Sequence, residues 1–180
     1  MKSFPASIEG VVVLEPRVFC DERGFFFESY NSKTLAALGV DIPFVQDNHS
    51  QSCRGVLRGI HYQVKCQQAK LIRVVSGEIF DVAVDLRRAS STFGRWYGLT
   101  LSAANKRQLF IPAGFGHGFL ALSDNSEVLY KASDFYAPEH ERCIRWDDPD
   151  LAIDWPDGGE RIVSAKDAAG SFLREADLPY

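Results

Sequence analysis

Short apolar runs separated by turn residues dominate the hydrophobic and polar pattern of this chain. Nine such runs predict β-strands, because their length and their content of β-branched and aromatic residues are typical of strands. They cover residues 8–14, 25–30, 56–63, 71–75, 79–86, 96–101, 108–111, 118–122 and 128–131. Long helical periods are nearly absent, so the pattern favours a β-sandwich or barrel.

Helices are expected only at two places on the periphery. The first spans residues 32–38, with Asn31 or Ser32 as N-cap and Gly39 as the C-terminal stop. The second begins after Ser164, whose side chain would cap residues 165–169. The chain has no internal repeat and no linker composition, and its 180 residues predict a single domain over 1–180. We therefore predict an all-β domain with a few short peripheral helices.

Composition narrows the range of partners. Hydrophobic residues make up 46% of the chain and aromatic residues 12%, which indicates a folded protein with many packed rings. A net charge of −4 gives no reason to expect nucleic-acid binding, and no apolar run approaches the ~20 residues that span a bilayer. The four cysteines lack CxxC spacing and no signal-peptide pattern is present. We expect reduced thiols and a cytoplasmic protein.

Two segments each place a histidine on an apolar strand after a glycine. They are residues 55–63, which contain His61, and residues 112–119, which contain His117. This arrangement is similar to the two halves of a cupin-type jelly roll. A metal-binding cupin, however, needs a second histidine at position 63 and a glutamate near position 70, where this chain has Gln63 and Lys70. A lysine repels a cation, so we predict a cupin-like jelly roll that uses organic acid–base groups and needs no metal or cofactor.

Several side chains each allow a structural and a chemical interpretation. His61 is either a core histidine or a base, and Asp167 is either its partner or an acid favoured by the first turn of a helix. Lys70 is either an edge lysine or a cation beside a developing enolate. Tyr130 is either a packed sheet residue or a proton donor. Tyr136 is either a core residue or, with its neighbour, a surface on which a base stacks.

The basic residues Arg23, Arg58 and Lys166 are scattered along the sequence. Such residues usually lie on the surface, but brought together they would suit a diphosphate. Strand alternation places His61 and Arg58 on opposite faces. If both serve one site, Gly59 must allow a bulge or a strong local twist.

Eight ordered segments together give a specific resemblance that extends over nearly the whole chain. They are residues 19–29, 44–50, 55–63, 70–73, 77–85, 112–119, 130–138 and 164–167. In these segments the sequence resembles the dTDP-4-dehydrorhamnose 3,5-epimerase family. The resemblance implies metal-independent epimerisation of dTDP-4-dehydro-6-deoxy-D-glucose at C3 and C5 to dTDP-4-dehydro-L-rhamnose.

The resemblance also implies a role for individual residues. His61 would accept a proton and be oriented by Asp167, Tyr130 would donate a proton on the opposite face of the sugar, and Lys70 would lie near the keto oxygen. Tyr136 would stack on thymine. The remaining groups that would bind the dTDP-4-keto-6-deoxy sugar are Gln46, Asp47, Asn48, Arg58, His117, Glu141 and Lys166. Arg23 and Glu28 would reach the neighbouring subunit's site, because members of the family are homodimers that exchange N-terminal strands.

Three alternatives remain open from the sequence. The first is a C3-only epimerase or a ketoisomerase that acts on a related dTDP-4-keto sugar. The second is a metal cupin oxygenase or isomerase, which Gln63 and Lys70 disfavour. The third is a non-enzymatic sugar-binding module, for which a complete set of acid–base residues would be unusual.

Overall fold

The computed structural model describes residues 1–157 and 159–179. Fourteen strands and two short helices follow one another along these residues. The strands are β1 (Lys2–Pro5), β2 (Val12–Glu15), β3 (Phe19–Asp21), β4 (Gly24–Phe26), β5 (Gln46–Ser52), β6 (Val56–Gln63), β7 (Lys70–Ser76), β8 (Glu78–Asp85), β9 (Trp96–Ser102), β10 (Gln108–Ile111), β11 (Phe115–Ala121), β12 (Ser126–Ala132), β13 (Glu141–Cys143) and β14 (Ile162–Val163). The helices are α1 (Ser32–Ala37) and α2 (Ala165–Ala168).

Two six-stranded sheets face each other. The first has the order β1-β2-β10-β7-β12-β5, and the second has the order β13-β6-β11-β8-β9 with β14 added parallel to β6. All other strand pairs in the two sheets are antiparallel. The prediction of an all-β, cupin-like jelly roll is therefore confirmed.

Apolar side chains fill the space between the sheets and also cover the outer face of each one. The inner cluster includes Ile72 and Leu109 from the first sheet and Leu101 from the second. Chain after β13 covers the outer face of the second sheet, where Leu178 packs with Val82 and Val84. Because many strands are buried on both faces, their sequences are continuous apolar runs instead of alternating ones. Among the described residues, no helix is both long and apolar enough to cross a membrane.

All nine predicted strands overlap a strand of the structure, and the largest errors are at two ends, each predicted four residues too far out. The strand predicted for 8–14 begins only at Val12, because Gly10 has a φ of +94° in a turn where Ala6 N–H donates to Val11 O. The strand predicted for 25–30 ends at Phe26, ahead of the Asn31 cap. The cap residues themselves are confirmed, since Asn31 accepts hydrogen bonds from two N–H groups of α1 and Ser164 accepts one from α2.

The expected bulge in β6 is also confirmed. The pairing of β6 with β11 joins His61 to His117 and Arg58 to Phe119, with a register shift between the two pairs. Gly59 lies at the shift with a φ of +105°, and a Cβ there would meet His117 O at 2.5 Å. Only glycine fits this close approach of two backbones. The shift allows Arg58 and His61 to line one cavity.

Candidate active site

An open cavity between the two sheets collects most of the predicted site residues. It consists of two adjoining parts of about 270 Å³ and 240 Å³. Both parts are lined by His61, Lys70, Tyr130 and Glu141. The first part adds Gln46, Asn48, Tyr62, Gln63, Gln68 and Tyr136, and the second adds Ser50, Arg58, His117, Gly118 and Phe119. The fold thus assembles side chains from distant positions around one polar cleft.

His61 and Asp167 form a hydrogen-bonded pair at one wall of this cavity. His61 Nε2 lies 2.7 Å from Asp167 Oδ1, and the backbone N–H of Gly59 donates to Asp167 Oδ2 over 3.2 Å. Asp167 is buried at α2, where its own N–H donates to the Ser164 side chain. The short helix α2 and its cap therefore hold the carboxylate in place behind the imidazole.

The carboxyl of Asp167 is ionised at neutral pH. Burial alone would raise its pKa, but the hydrogen bonds from His61 and Gly59, together with the Ser164 cap, hold the pKa below its usual value. A carboxylate only accepts hydrogen bonds, so His61 Nε2 must carry the proton. The lone pair of His61 is then on Nδ1, and the imidazole is ready to act as a base.

Tyr130 belongs to β12 of the first sheet, whereas His61 belongs to β6 of the second. The two side chains therefore line the same cavity from different sheets. Burial, and after it the charge of Glu141, raises the pKa of the Tyr130 phenol above its usual value. The phenol stays protonated at neutral pH, so it can donate a proton and would be a poor base.

Lys70 begins β7 and supplies a positive charge to both parts of the cavity. Burial lowers the pKa of its ammonium to about 8, and the charges of Asp81 and Glu141 limit the decrease. The side chain is therefore still mainly cationic at neutral pH. Such a cation, held in place in a partly dehydrated cleft, stabilises negative charge that develops on a bound molecule.

His117 forms a second pair with a carboxylate, deeper in the fold. Its Nε2 lies 2.7 Å from Asp81 Oδ1, and both side chains are buried. The other oxygen of Asp81 has no hydrogen-bond partner among the described residues. The rings of His117 and Tyr130 lie 6.5 Å apart between centroids. His117 therefore reaches the cavity as a fixed polar group.

Glu141 connects the charged and aromatic groups at the cavity mouth. Tyr136 donates its hydroxyl proton to Glu141 Oε2 over 2.6 Å, and the Lys166 ammonium donates to the same oxygen. The ring of Tyr136 remains 51% exposed beside Phe135, which is 65% exposed. The side chain of Gln46 fixes this segment by accepting the Tyr136 N–H and by donating to Asn48. These contacts leave an exposed aromatic surface beside the Lys166 ammonium.

Three of the predicted binding residues lie away from the cavity. Asp47 is on β5 between Gln46 and Asn48, so alternation turns its side chain to the other face, where it pairs with Lys131 at 2.8 Å. Arg23 is exposed and pairs with Asp21. Glu28 accepts hydrogen bonds from Asn31 and Thr34.

Three residues in or near the cavity have contacts that the sequence did not reveal. Gln63, at the position of a metal ligand in cupins, donates to Cys66 O and accepts the Ala137 N–H, so its amide is used to hold loops together. Asp81 lies in an apolar run that gave no sign of a polar role. Cys143 had no predicted role, yet its Sγ and one donor atom each of His61 and Asp167 all lie within 4.8 Å of one another.

Comparison with known proteins points to one family. The family model for dTDP-4-dehydrorhamnose 3,5-epimerase matches residues 5–175. The dTDP-4-dehydrorhamnose 3,5-epimerase of Pseudomonas aeruginosa is 58% identical over 178 residues, which cover 98% of each chain.

Solved structures agree with the sequence match. An epimerase of Legionella pneumophila in complex with dTDP-4-keto-L-rhamnose superposes with a TM-score of 0.97 at 49% identity, over 99% of this chain and 97% of that one. A 3'-monoepimerase of Streptomyces bikiniensis in complex with dTDP-quinovose superposes with a TM-score of 0.91 at 39% identity, over 97% and 91% of the two chains.

Proposed function

The chain belongs to the dTDP-4-dehydrorhamnose 3,5-epimerase family, and we propose that it converts dTDP-4-dehydro-6-deoxy-D-glucose to dTDP-4-dehydro-L-rhamnose by inverting C3 and C5. The observation that carries this proposal is a histidine–carboxylate base and a protonated phenol that line one cavity from two different sheets. Inversion at carbon needs a base on one face of the sugar and an acid on the other.

The reaction begins with proton removal beside the 4-keto group. That group acidifies the C–H bonds at C3 and C5, and His61 Nδ1 takes the proton while Asp167 stabilises the imidazolium that forms. The electron pair of the broken C–H bond moves into an enolate, whose negative charge lies on O4. The Lys70 ammonium stabilises this charge.

The reaction is completed by Tyr130, which donates its phenolic proton to the carbon from the opposite face. The imidazolium of His61 and the phenolate of Tyr130 then return to their starting states by proton exchange with water. The same cycle at the second carbon gives the doubly inverted product. Each cycle moves protons only, so no electron acceptor or redox cofactor takes part.

Binding of the nucleotide is assigned to the cavity mouth. The exposed ring of Tyr136 offers a stacking surface for thymine. Arg58 from the cavity wall and Lys166, which contacts the lining residue Glu141, supply positive charges for the diphosphate. Gln46, Asn48 and His117 supply polar groups around the sugar. Anchoring the substrate far from the reacting carbons supplies binding energy that positions the sugar.

Catalysis without a metal is supported by the donor set at the positions where cupins bind one. The Gln63 amide is engaged by Cys66 and Ala137, and Lys70 places a positive charge where a carboxylate ligand would be needed. A cation in that centre would be repelled. The acid–base groups described above are sufficient for the chemistry.

A homodimer with exchanged N-terminal strands is part of the proposal. The hairpin formed by β3 and β4 pairs with no other described strand, and Phe19, Phe25 and Phe26 are 51%, 60% and 70% exposed. An isolated hairpin with three exposed aromatic rings is marginal in water, and contact with a second copy would bury them. Arg23 lies in the turn of this hairpin and Glu28 lies just after β4, so both would then reach the partner's cavity.

The four unpaired cysteines support a cytoplasmic location.

Deuterium labelling tests the proposal and separates it from the C3-only alternative, which the likeness to a 3'-monoepimerase keeps relevant. The protein is incubated with dTDP-4-keto-6-deoxyglucose in D₂O, and the label is located by NMR. Label at both C3 and C5 with formation of the L-rhamno product is expected. Label at C3 alone would indicate a mono-epimerase, and no label would refute an epimerase of this substrate.

A further inference from the structure

Cys143 is placed directly against the histidine–carboxylate pair and has no part in the proposed reaction. β13 pairs with β6 in a register that joins Cys143 to His61. Sγ of Cys143 and one donor atom each of His61 and Asp167 all lie within 4.8 Å of one another, and the three residues are partly or fully buried. A nitrogen, a sulfur and an oxygen donor thus converge at one point beside the cavity.

We propose that His61, Cys143 and Asp167 form an inhibitory binding site for a thiophilic divalent cation, Zn²⁺ in particular. Zinc prefers imidazole nitrogen, thiolate sulfur and carboxylate oxygen, and catalytic zinc centres use three protein ligands with a fourth position open. A thiolate and a carboxylate carry two negative charges, which balance the two positive charges of the ion. Displacement of the thiol proton by the metal completes the neutral centre.

The donor separations lie on either side of those of a zinc centre. Bonds of about 2.0–2.3 Å place neighbouring donors of a tetrahedral zinc centre roughly 3.3–3.8 Å apart. The distance of 2.7 Å between His61 Nε2 and Asp167 Oδ1 must therefore increase. Any donor atoms that lie farther apart than this spacing, up to 4.8 Å, must move closer together. Asp167 remains anchored meanwhile, because Gly59 N–H and the Ser164 cap hold the other carboxylate oxygen and the backbone. Such outer contacts are typical of metal centres.

The donor set discriminates between metal ions. Mg²⁺ and Ca²⁺ require six or more oxygen ligands, and this group supplies one carboxylate, so neither ion should bind tightly. Zn²⁺ and Co²⁺ accept the nitrogen and sulfur donors. The centre shares His61 with the cupin metal position, but its other ligands are Cys143 and Asp167 and not the residues at positions 63 and 70.

Occupation of the site would switch off the base. When the metal binds His61 Nε2, the ring proton moves from Nε2 to Nδ1, which loses the lone pair that serves as the base, and the metal also takes the carboxylate that orients the ring. Neither proton abstraction nor solvent exchange can then proceed. This consequence rests on the proposed function, whereas metal binding itself does not. Zinc would therefore act as a reversible inhibitor of an enzyme that works without a metal.

The test measures metal binding and activity separately on the full chain after chelation. Titration calorimetry with Zn²⁺ and absorption spectroscopy with Co²⁺ are compared for the parent protein, for Cys143→Ala and Cys143→Ser, and for the control Cys53→Ala, whose thiol is exposed and lies elsewhere. We expect one Zn²⁺ per chain and a thiolate-to-cobalt charge-transfer band in the parent and the control. Both Cys143 variants should lose the band and bind Zn²⁺ roughly 100-fold more weakly, since even loss of an outer-shell partner costs 10–100-fold.

Activity is then followed as deuterium exchange with and without Zn²⁺. Zinc should inhibit the parent and the control, whereas both Cys143 variants should keep the parental rate and resist the metal. Thermal unfolding and the metal-free rate show that each variant is folded. Equal zinc affinity in parent and Cys143 variants, or a cobalt spectrum without the thiolate band, would overturn the site. Binding that depends on Cys143 but leaves the exchange rate unchanged would overturn the inhibition, and a parent without any exchange would refute the proposed function instead.

Discussion

Replacement of Asp167 by asparagine is the sharpest test of the base, because the structure presents this side chain with two donors. His61 Nε2–H and Gly59 N–H both point at the carboxylate, over 2.7 Å and 3.2 Å. An asparagine has one carbonyl oxygen and one NH₂ group, so it satisfies one donor and opposes the other. The variant must adopt one of two orientations, and each has a different cost.

In the first orientation the amide oxygen accepts the Gly59 N–H, and the NH₂ group faces His61. The imidazole then moves its proton to Nδ1 and loses the lone pair that serves as the base. In the second orientation the tautomer is kept, but the charge that stabilises the imidazolium is gone. Hydrogen bonds to charged groups contribute about 1.5–3 kcal/mol, and each 1.36 kcal/mol is tenfold in rate, so the exchange rate should fall about 10- to 150-fold or further.

The second orientation also leaves a buried Gly59 N–H facing an NH₂ group, at a cost of about 1–3 kcal/mol in the free energy of unfolding. Each kcal/mol lowers Tm by roughly 2–4 °C in a domain of this size. Exchange at C3 and C5 in D₂O and thermal unfolding, measured together, therefore report which orientation is taken.

Asp148→Asn is the matched control. Asp148 is a buried carboxylate that accepts backbone N–H groups of Asp150, Leu151 and Leu173, and it does not line the cavity. The Asp148→Asn variant should lose stability by a similar mechanism and retain the parental exchange rate. An Asp167→Asn rate within about twofold of the parent, or an equal loss in Asp148→Asn, would refute the assignment of the base.

Three further predictions follow from the cavity and the hairpin. His61→Asn should abolish product formation and exchange at both carbons, whereas Tyr130→Phe should block inversion but retain exchange, since His61 returns a proton to the same face; inversion at the parental rate in Tyr130→Phe would contradict these roles. Because burial lowers the pKa of Lys70 to about 8, its cation is present below that pH and lost above it, so kcat/KM should fall as the pH rises through about 8. In Lys70→Arg this decrease in kcat/KM should move to higher pH, and a decrease at the same pH as in the parent would contradict the assignment. Co-expression of an Arg23→Ala, Glu28→Ala chain with a His61→Asn chain should restore activity above either parent variant, and no recovery would argue against shared sites.

The sequence predicted the fold well wherever strands are buried and failed where a strand is polar. All seven residues of β5, Gln46–Ser52, are polar, so no apolar alternation marks the strand. The reason lies in its position, since its inward side chains Gln46, Asn48 and Ser50 face a polar cavity and not a core. β1, β3, β13 and β14 were missed because two to four residues carry too little pattern. Polar side chains that line the cavity thus replace the apolar alternation by which a strand is recognised in a sequence.

The candidate site could be proposed from residue types and from the family resemblance, but its pairings required the fold. Asp167 and His61 are 106 residues apart, and α2 is too short to show any periodicity of its own. Gly59 is different, because alternation alone required a distortion between Arg58 and His61. The structure provides it through the register shift against β11. The distortion at Gly59 could be predicted because strand alternation conflicted with a shared site for Arg58 and His61. The pairing of His61 with Asp167 could not be predicted, because nothing local in the sequence connects them.

The described residues contain two histidine–carboxylate pairs with the same 2.7 Å separation, and their surroundings favour His61 as the proposed base. The His61 side chain is 29% exposed and that of His117 is 7% exposed. A base that works repeatedly must exchange its proton with solvent, and only His61 has that access. The Asp81 carboxylate behind His117 also raises the pKa of Lys70 against the effect of burial. The buried pair therefore helps to keep the neighbouring ammonium charged, while the more exposed pair has the solvent access that the proposed proton transfer requires.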